Sequence, residues 1–141
     1  VLYQPMSRVH KIIGSAPVKD HPSSGASMIM KNWYGLLGGR RNIFHQDIHT
    51  IIKELAMMVK PTLVVLYGTT TMMRNGPTGG SLSDLKETHR MIVSTDQVAA
   101  DAFGATLLDK AVDELTFIKK AEAMKLGTAD FQSLNPVMEA I

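Results

Sequence analysis

The alternation of apolar and polar positions divides this chain into short blocks, each with the period of one element type. The clearest block is helical. Ile48, Ile51, Ile52, Leu55 and Val59 fall at i, i+3, i+4, i+7 and i+11, a single apolar stripe along residues 47–59. Asp47 suits the first turn of that helix, and Lys60-Pro61 closes it. Residues 62–66 (TLVVL) are a continuous β-branched run, the pattern of a buried parallel strand. Residues 9–16 (VHKIIGSA) predict a short first strand ended by Pro17, and VKDHPSSG then reads as a loop broken by Pro22 and Gly25. Met28, Ile29 and Met30 fit a buried strand or one face of a short helix. GTTTMMRNGPTGG is expected to be a loop after the second strand. Residues 83–87 read as a helical turn capped by Ser81 or Ser83, and residues 90–95 as a third strand. Asp96 is an N-cap for a helix over 97–108, whose Ala99, Ala100, Ala102, Gly104 and Ala105 permit close packing on a sheet. Asp113 caps a last helix over 114–125, with Gly127 as its C′ residue.

This order of elements predicts an α/β fold, a small, largely parallel sheet with flanking helices. Residues 1–8 are expected to be a loose arm, 9–127 a single domain and 128–141 a tail. Ligands of such sheets bind beyond the carboxyl ends of the strands. That rule gathers VKDHPSSG, GTTTMMRNGPTGG and the Ser94-Thr95-Asp96 turn into one site.

Composition narrows the chemistry. A chain of 141 residues, 45% hydrophobic and 20% charged, suffices for one core. The net charge is only +2 and the basic residues are scattered, so a pI near 8.9 allows a small anionic molecule as ligand but does not argue for nucleic acid, an unlikely partner. The absence of Cys excludes disulfides, thiolate catalysis and a cysteine-ligated iron–sulfur cluster within this chain. No apolar run approaches the roughly 20 residues that span a bilayer, and the start lacks the h-region of a signal peptide, so a cytoplasmic setting without membrane insertion is expected. Ten Met fill irregular cores or make adaptable contact surfaces. On the second view Met57, Met58, Met72 and Met73 would lie at the interface of a non-catalytic, self-associating module.

Residues 31–49 (KNWYGLLGGRRNIFHQDIH) hold the one Trp, a Gly-Gly break, an Arg pair and two of the five His, a mixture that a core does not require. His45 and His49 are spaced i, i+4, which on a helix presents two imidazoles to a divalent metal, with His21 as a distant third ligand. Local capping and surface placement is the plainer reading of the pair. Lys19, Lys31, Arg40 and Arg41 are candidate partners for a carboxylate or phosphate, with Asn32 beside them. Gly76, Gly79 and Gly80 lie in a loop whose amides can form an anion nest, although it is neither a Walker loop nor GxGxxG. Asp101, in an Ala-rich helix, is out of place unless it lines the site or pairs with a base; Asp96 is first of all a cap. No GxSxG elbow accompanies Ser15, Ser23 or Ser24. The catalytic candidates are therefore Lys19, His21, Lys31, His45 and His49, acting on a carboxylate or phosphate compound through acid–base or metal-assisted chemistry.

APVKDH, MKNWYGLLGG, FHQDIH, TLVVLYGTTTMMRNGPTGG and IVSTDQVAADAFGA, in this order, resemble the DUF362 family, bacterial and archaeal proteins of unknown function, some fused to ferredoxin-like iron–sulfur modules. The likeness runs over about residues 9–127 and implies an α/β domain. It marks Lys19, His21, Lys31, Asn32, His45, His49, Gly76, Gly79, Gly80, Asp96 and Asp101 as matching polar positions of the family. Tyr67 departs from the Asp usual there. The resemblance also implies a further N-terminal portion, so this chain would correspond to the C-terminal part of a larger domain. A sheet without those neighbours would expose an edge and apolar faces, and a homo-oligomer is expected.

Overall fold

The structure, a computed structural model, describes residues 3–140, with the side chains of Arg41 and Asn42 outside the described set. Four strands form one sheet in the order β2-β1-β3-β4: β1 (Ile13–His21), β2 (Gly25–Ser27), β3 (Leu63–Met72) and β4 (Leu85–Ser94). Only β1 and β3 run parallel, with Ile13 opposite Leu63; β2 and β4 each pair antiparallel with their neighbours. The sheet is mixed, not largely parallel. The reason lies between β3 and β4. A parallel return needs a crossover element, usually a helix, and residues 73–84 hold only a short 3-10 turn, Leu82–Asp84, capped by Ser81.

The strands are also longer than the apolar runs imply. β1 continues through Pro17 to His21. β2 reaches only Lys19–His21, and the β1–β3 register shifts between Pro17 and Lys19, so the missing N–H of Pro17 falls at an irregularity. β3 continues through Thr69, Thr70 and Thr71, β-branched residues that suit a pleated strand. With β4 antiparallel, Ser94 pairs with Val64 near the start of β3. The Ser94-Thr95-Asp96 turn therefore lies at the opposite end of the sheet from the loops after β1 and β3, and the expected three loops do not gather.

The helices are α1 (Ile29–Asn32), α2 (Ile48–Met58), α3 (Gln97–Leu107) and α4 (Thr116–Ala123). Their core partners on the sheet are Ala16, Val18, Val64 and Leu66, and Met28, Ile29, Met30, Leu115 and Phe117 are fully buried. The alternate strand positions Ile13, Tyr67, Met91 and Val93 stay exposed. Buried polar contacts pin the segment around α1. Trp33 Nε1 donates to Gln97 Oε1 at 2.8 Å, while Gln97 Nε2 donates to the carbonyls of Ala56 and Val59. Trp33 lies so close over β1 that a Cβ at Gly14 would meet its ring at 2.6 Å. Among the described residues no helix is long and apolar enough to cross a membrane.

The N-terminal segment carries a 3-10 turn, Gln4–Arg8, and is fixed by the Tyr3 amide donating to the Leu36 carbonyl. The C-terminal segment is tied down as well: the Thr128 amide donates to Asp96 Oδ2 and the Ala129 amide to Glu122 Oε1.

Candidate functional site

The segment from Lys31 to His45 meets the end of β1, and four side chains converge there. Lys31, on α1, is half-buried, and its Nζ stands 5.5 Å from the centre of the Tyr34 ring. Burial lowers the Lys31 ammonium pKa below its ordinary value. Among the described residues no carboxylate lies within ion-pair distance of it. Tyr34 is buried, and its hydroxyl donates to the Phe44 carbonyl at 3.2 Å. Burial, with a contribution from Asp47, pushes the Tyr34 phenol up to about 12. The Phe44 contact belongs to the 3-10 helix Arg41–Asp47, so it anchors the stretch that carries His45.

His45 is exposed, with its ring 5.2 Å from that of Tyr34 and 6.4 Å from that of His21. His21 is buried at the end of β1. Its Nδ1 accepts from the amides of Ser23 and Ser24 at 3.2 and 3.3 Å, which places the proton of the neutral ring on Nε2. Burial first, then the fields of Lys31 and His45, lowers the His21 pKa to about 4 against a small opposing effect of Asp20.

His49 does not join this group. The α-helix begins only at Ile48, so His45 belongs to the 3-10 helix and the two rings diverge. The His49 ring stacks 6.4 Å from Phe117 of α4, with Nδ1 buried and unpartnered. Burial and Lys120 lower its pKa, opposed by Asp47. Of the expected ligand trio, His21 and His45 are therefore brought together and His49 is not. Among the described residues no group of three or more His, Asp or Glu is placed to hold a metal ion.

The remaining sequence candidates are spread over the fold. Asn32 donates to the Ser15 carbonyl at 2.9 Å. Arg40 is exposed, and the side chain of Arg41 lies outside the described set. Lys19 donates to the Pro77 carbonyl at 3.3 Å, holding the glycine-rich loop against β1. That loop borders an open depression of about 470 Å³ between Arg74 and Asp84. Its polar groups are largely engaged with one another. Gly79 donates its N–H to the Asn75 carbonyl, and Arg74 and Asn75 both donate to Asp84 Oδ1 at 3.0 Å. Asp96 is an N-cap, accepting from Val98 and Ala99 at 2.8 and 2.9 Å. Asp101, fully buried on α3, accepts from the Ile29 and Met30 amides at 2.9 and 3.0 Å. It thus caps α1 from a distance and positions Lys31 rather than facing the cluster itself.

Tyr34 is the member that sequence reasoning missed. Its one signal is the i, i+3 spacing from Lys31. Ser23 and Ser24 enter through their backbone amides, which no side-chain pattern reveals.

A family model for a domain of unknown function, DUF362, matches residues 1–106. The chain belongs to that family. The match includes the first residues and stops near the end of α3, where the motif resemblance runs from 9 to 127. His21, Lys31, Tyr34, His45 and Asp101 all lie inside the DUF362 match, and Phe117 and α4 lie beyond it. No curated protein and no solved structure matches the chain.

Proposed function

We propose that this DUF362 domain binds a small carboxylate or phosphate compound at Lys31 and carries out proton transfer on it with His21 and His45. The observation that carries the reading is a half-buried ammonium without a carboxylate partner among the described residues, set beside two imidazoles. A desolvated cation lacks the water that would otherwise stabilise it, and an anionic ligand group supplies a charge-assisted replacement. His21, held neutral with its proton on Nε2, is a preorganised donor toward a developing oxyanion. His45, exposed beside it, exchanges protons with solvent. The reading asks nothing of His49 or of the glycine-rich loop.

Inorganic phosphate and pyruvate serve as probes. Either anion is expected to shift the ring NMR signals of His21 and His45 saturably while leaving those of His49 unmoved. Lys31→Met is expected to weaken binding at least tenfold, since a hydrogen bond to a charged group contributes about 1.5–3 kcal/mol. Absence of a saturable shift with both anions, or undiminished binding in Lys31→Met, would overturn the proposal.

A further inference from the structure

We infer, resting on the reading of His21 as the preorganised donor of the site, that Lys110 is a positioning residue for it. From the loop after α3, Lys110 clasps the β1–β2 hairpin whose amides fix the proton of the His21 ring. His21 ends β1 and faces Gly25, the first residue of β2, across Pro22, Ser23 and Ser24. The Ser23 and Ser24 amides reach His21 Nδ1 at 3.2 and 3.3 Å, the long end of the usual hydrogen-bond range. A small displacement of the turn therefore loses them, and with them the bias toward Nε2–H.

Lys110 bridges the two strands of this hairpin. Its Nζ donates to Asp20 Oδ1 on β1 at 2.8 Å and to the Gly25 carbonyl on β2. The two paired side chains are only 23% and 21% exposed, and water screens such a pair less than one at the surface. Lys110 is itself held. Its amide donates to the Ala105 carbonyl of α3 at 3.0 Å, just past Asp109 in the left-handed region at φ +55°. Leu115, fully buried, closes on the same turn: a Cβ at Gly25, where φ is +77°, would stand 2.7 Å from its Cδ2. Within the turn, Ser24 Oγ donates to the Ala26 carbonyl at 2.7 Å. That bond shapes the turn but does not tie it to the rest of the fold, and Lys110 and Leu115 do. Both lie beyond the DUF362 match, which ends at residue 106. The segment after the matched region thus completes the site.

Lys110 acts on the charge around His21 as well. Asp20 favours the His21 imidazolium, whereas Lys31 and His45 oppose it. An ammonium paired with Asp20 offsets the pull of that carboxylate. Without it, Asp20 would stand unpaired beside a ring that the turn no longer restrains.

Nitrogen-resolved NMR of the histidine rings across pH, with no ligand added, tests the role. Lys110→Met is expected to raise the Nδ1–H fraction of His21 roughly fivefold, the worth of one hydrogen bond. The ring is also expected to titrate nearer the ordinary imidazole range. The His49 signals should stay as in the parent and report an intact fold. Lys110→Gln, which keeps a polar end without the charge, is expected to change His21 in the same direction and decides the matter if Lys110→Met does not fold. A parent ring that is not Nε2–H would overturn the reading of the site, and the role of Lys110 with it. A parent ring held as Nε2–H, and unchanged in tautomer and titration in the folded variant, would overturn the role of Lys110 alone.

Discussion

His21 and Asp101 are buried ionisable groups with opposite effects on stability between pH 4 and 7. The His21 pKa is about 4 in the fold, against about 6.5 in an unfolded chain. Between those values the unfolded state binds the extra proton, so this contribution is fully present above about pH 6.5 and is lost as pH falls toward 4. Asp101 is the reverse. Burial raises its carboxyl to about 7 despite the Ile29 and Met30 amides, against about 3.9 unfolded. Here the fold holds the extra proton, and its contribution is present at low pH and lost as pH rises toward 7. In the parent chain the two slopes offset each other. His21→Gln is expected to remove the His21 slope while leaving those of Asp101 and His49, so between about pH 4 and 6.5 its urea midpoint should fall relative to the parent's as pH rises. A variant with the parent's pH profile would show that His21 is not held neutral by the fold.

At the scale of elements, the glycine-rich loop is packed directly against β1. A Cβ at Gly76 would stand 1.9 Å from the Asp20 carbonyl oxygen, while Gly80 has nothing within 4 Å. Gly76→Ala is therefore expected to lift the loop, break the Lys19–Pro77 contact and cost about 1–3 kcal/mol, and Gly80→Ala to be near neutral; thermal unfolding of the pair checks both. The elements most legible in the sequence were those with local causes. The stripe from Ile48 to Val59 gave α2, and the Asp96 side chain caps α3 as its position predicts. β1 and β3 were underestimated because Pro17 and the Thr run look like breakers until the neighbouring strands are known. The orientation of β4 depends on what fills 73–84, and periodicity of the strands alone does not carry that. His45 and His49 parted for a similar reason: their spacing assumes α-helix, and residues 41–47 are 3-10.

For the whole molecule, the candidate site is a product of long-range contacts. Lys31 takes its place because Asp101 caps α1 from 71 residues away along the chain and because Gln97 holds Trp33 from 64. His21 and His45 were legible as candidates from residue type, but their neighbourhood required β1 to run on to His21 and Tyr34 to anchor the turn through Phe44. The central claim is that His21 is a fixed, neutral proton donor beside an anion-binding Lys31. Nitrogen-resolved NMR of the histidine rings across pH, with and without inorganic phosphate, tests it most directly. His21 is predicted to stay the Nε2–H tautomer down to about pH 4, with its signals and those of His45 moving when phosphate is added. A His21 ring that titrates near pH 6.5 and ignores phosphate would contradict the account.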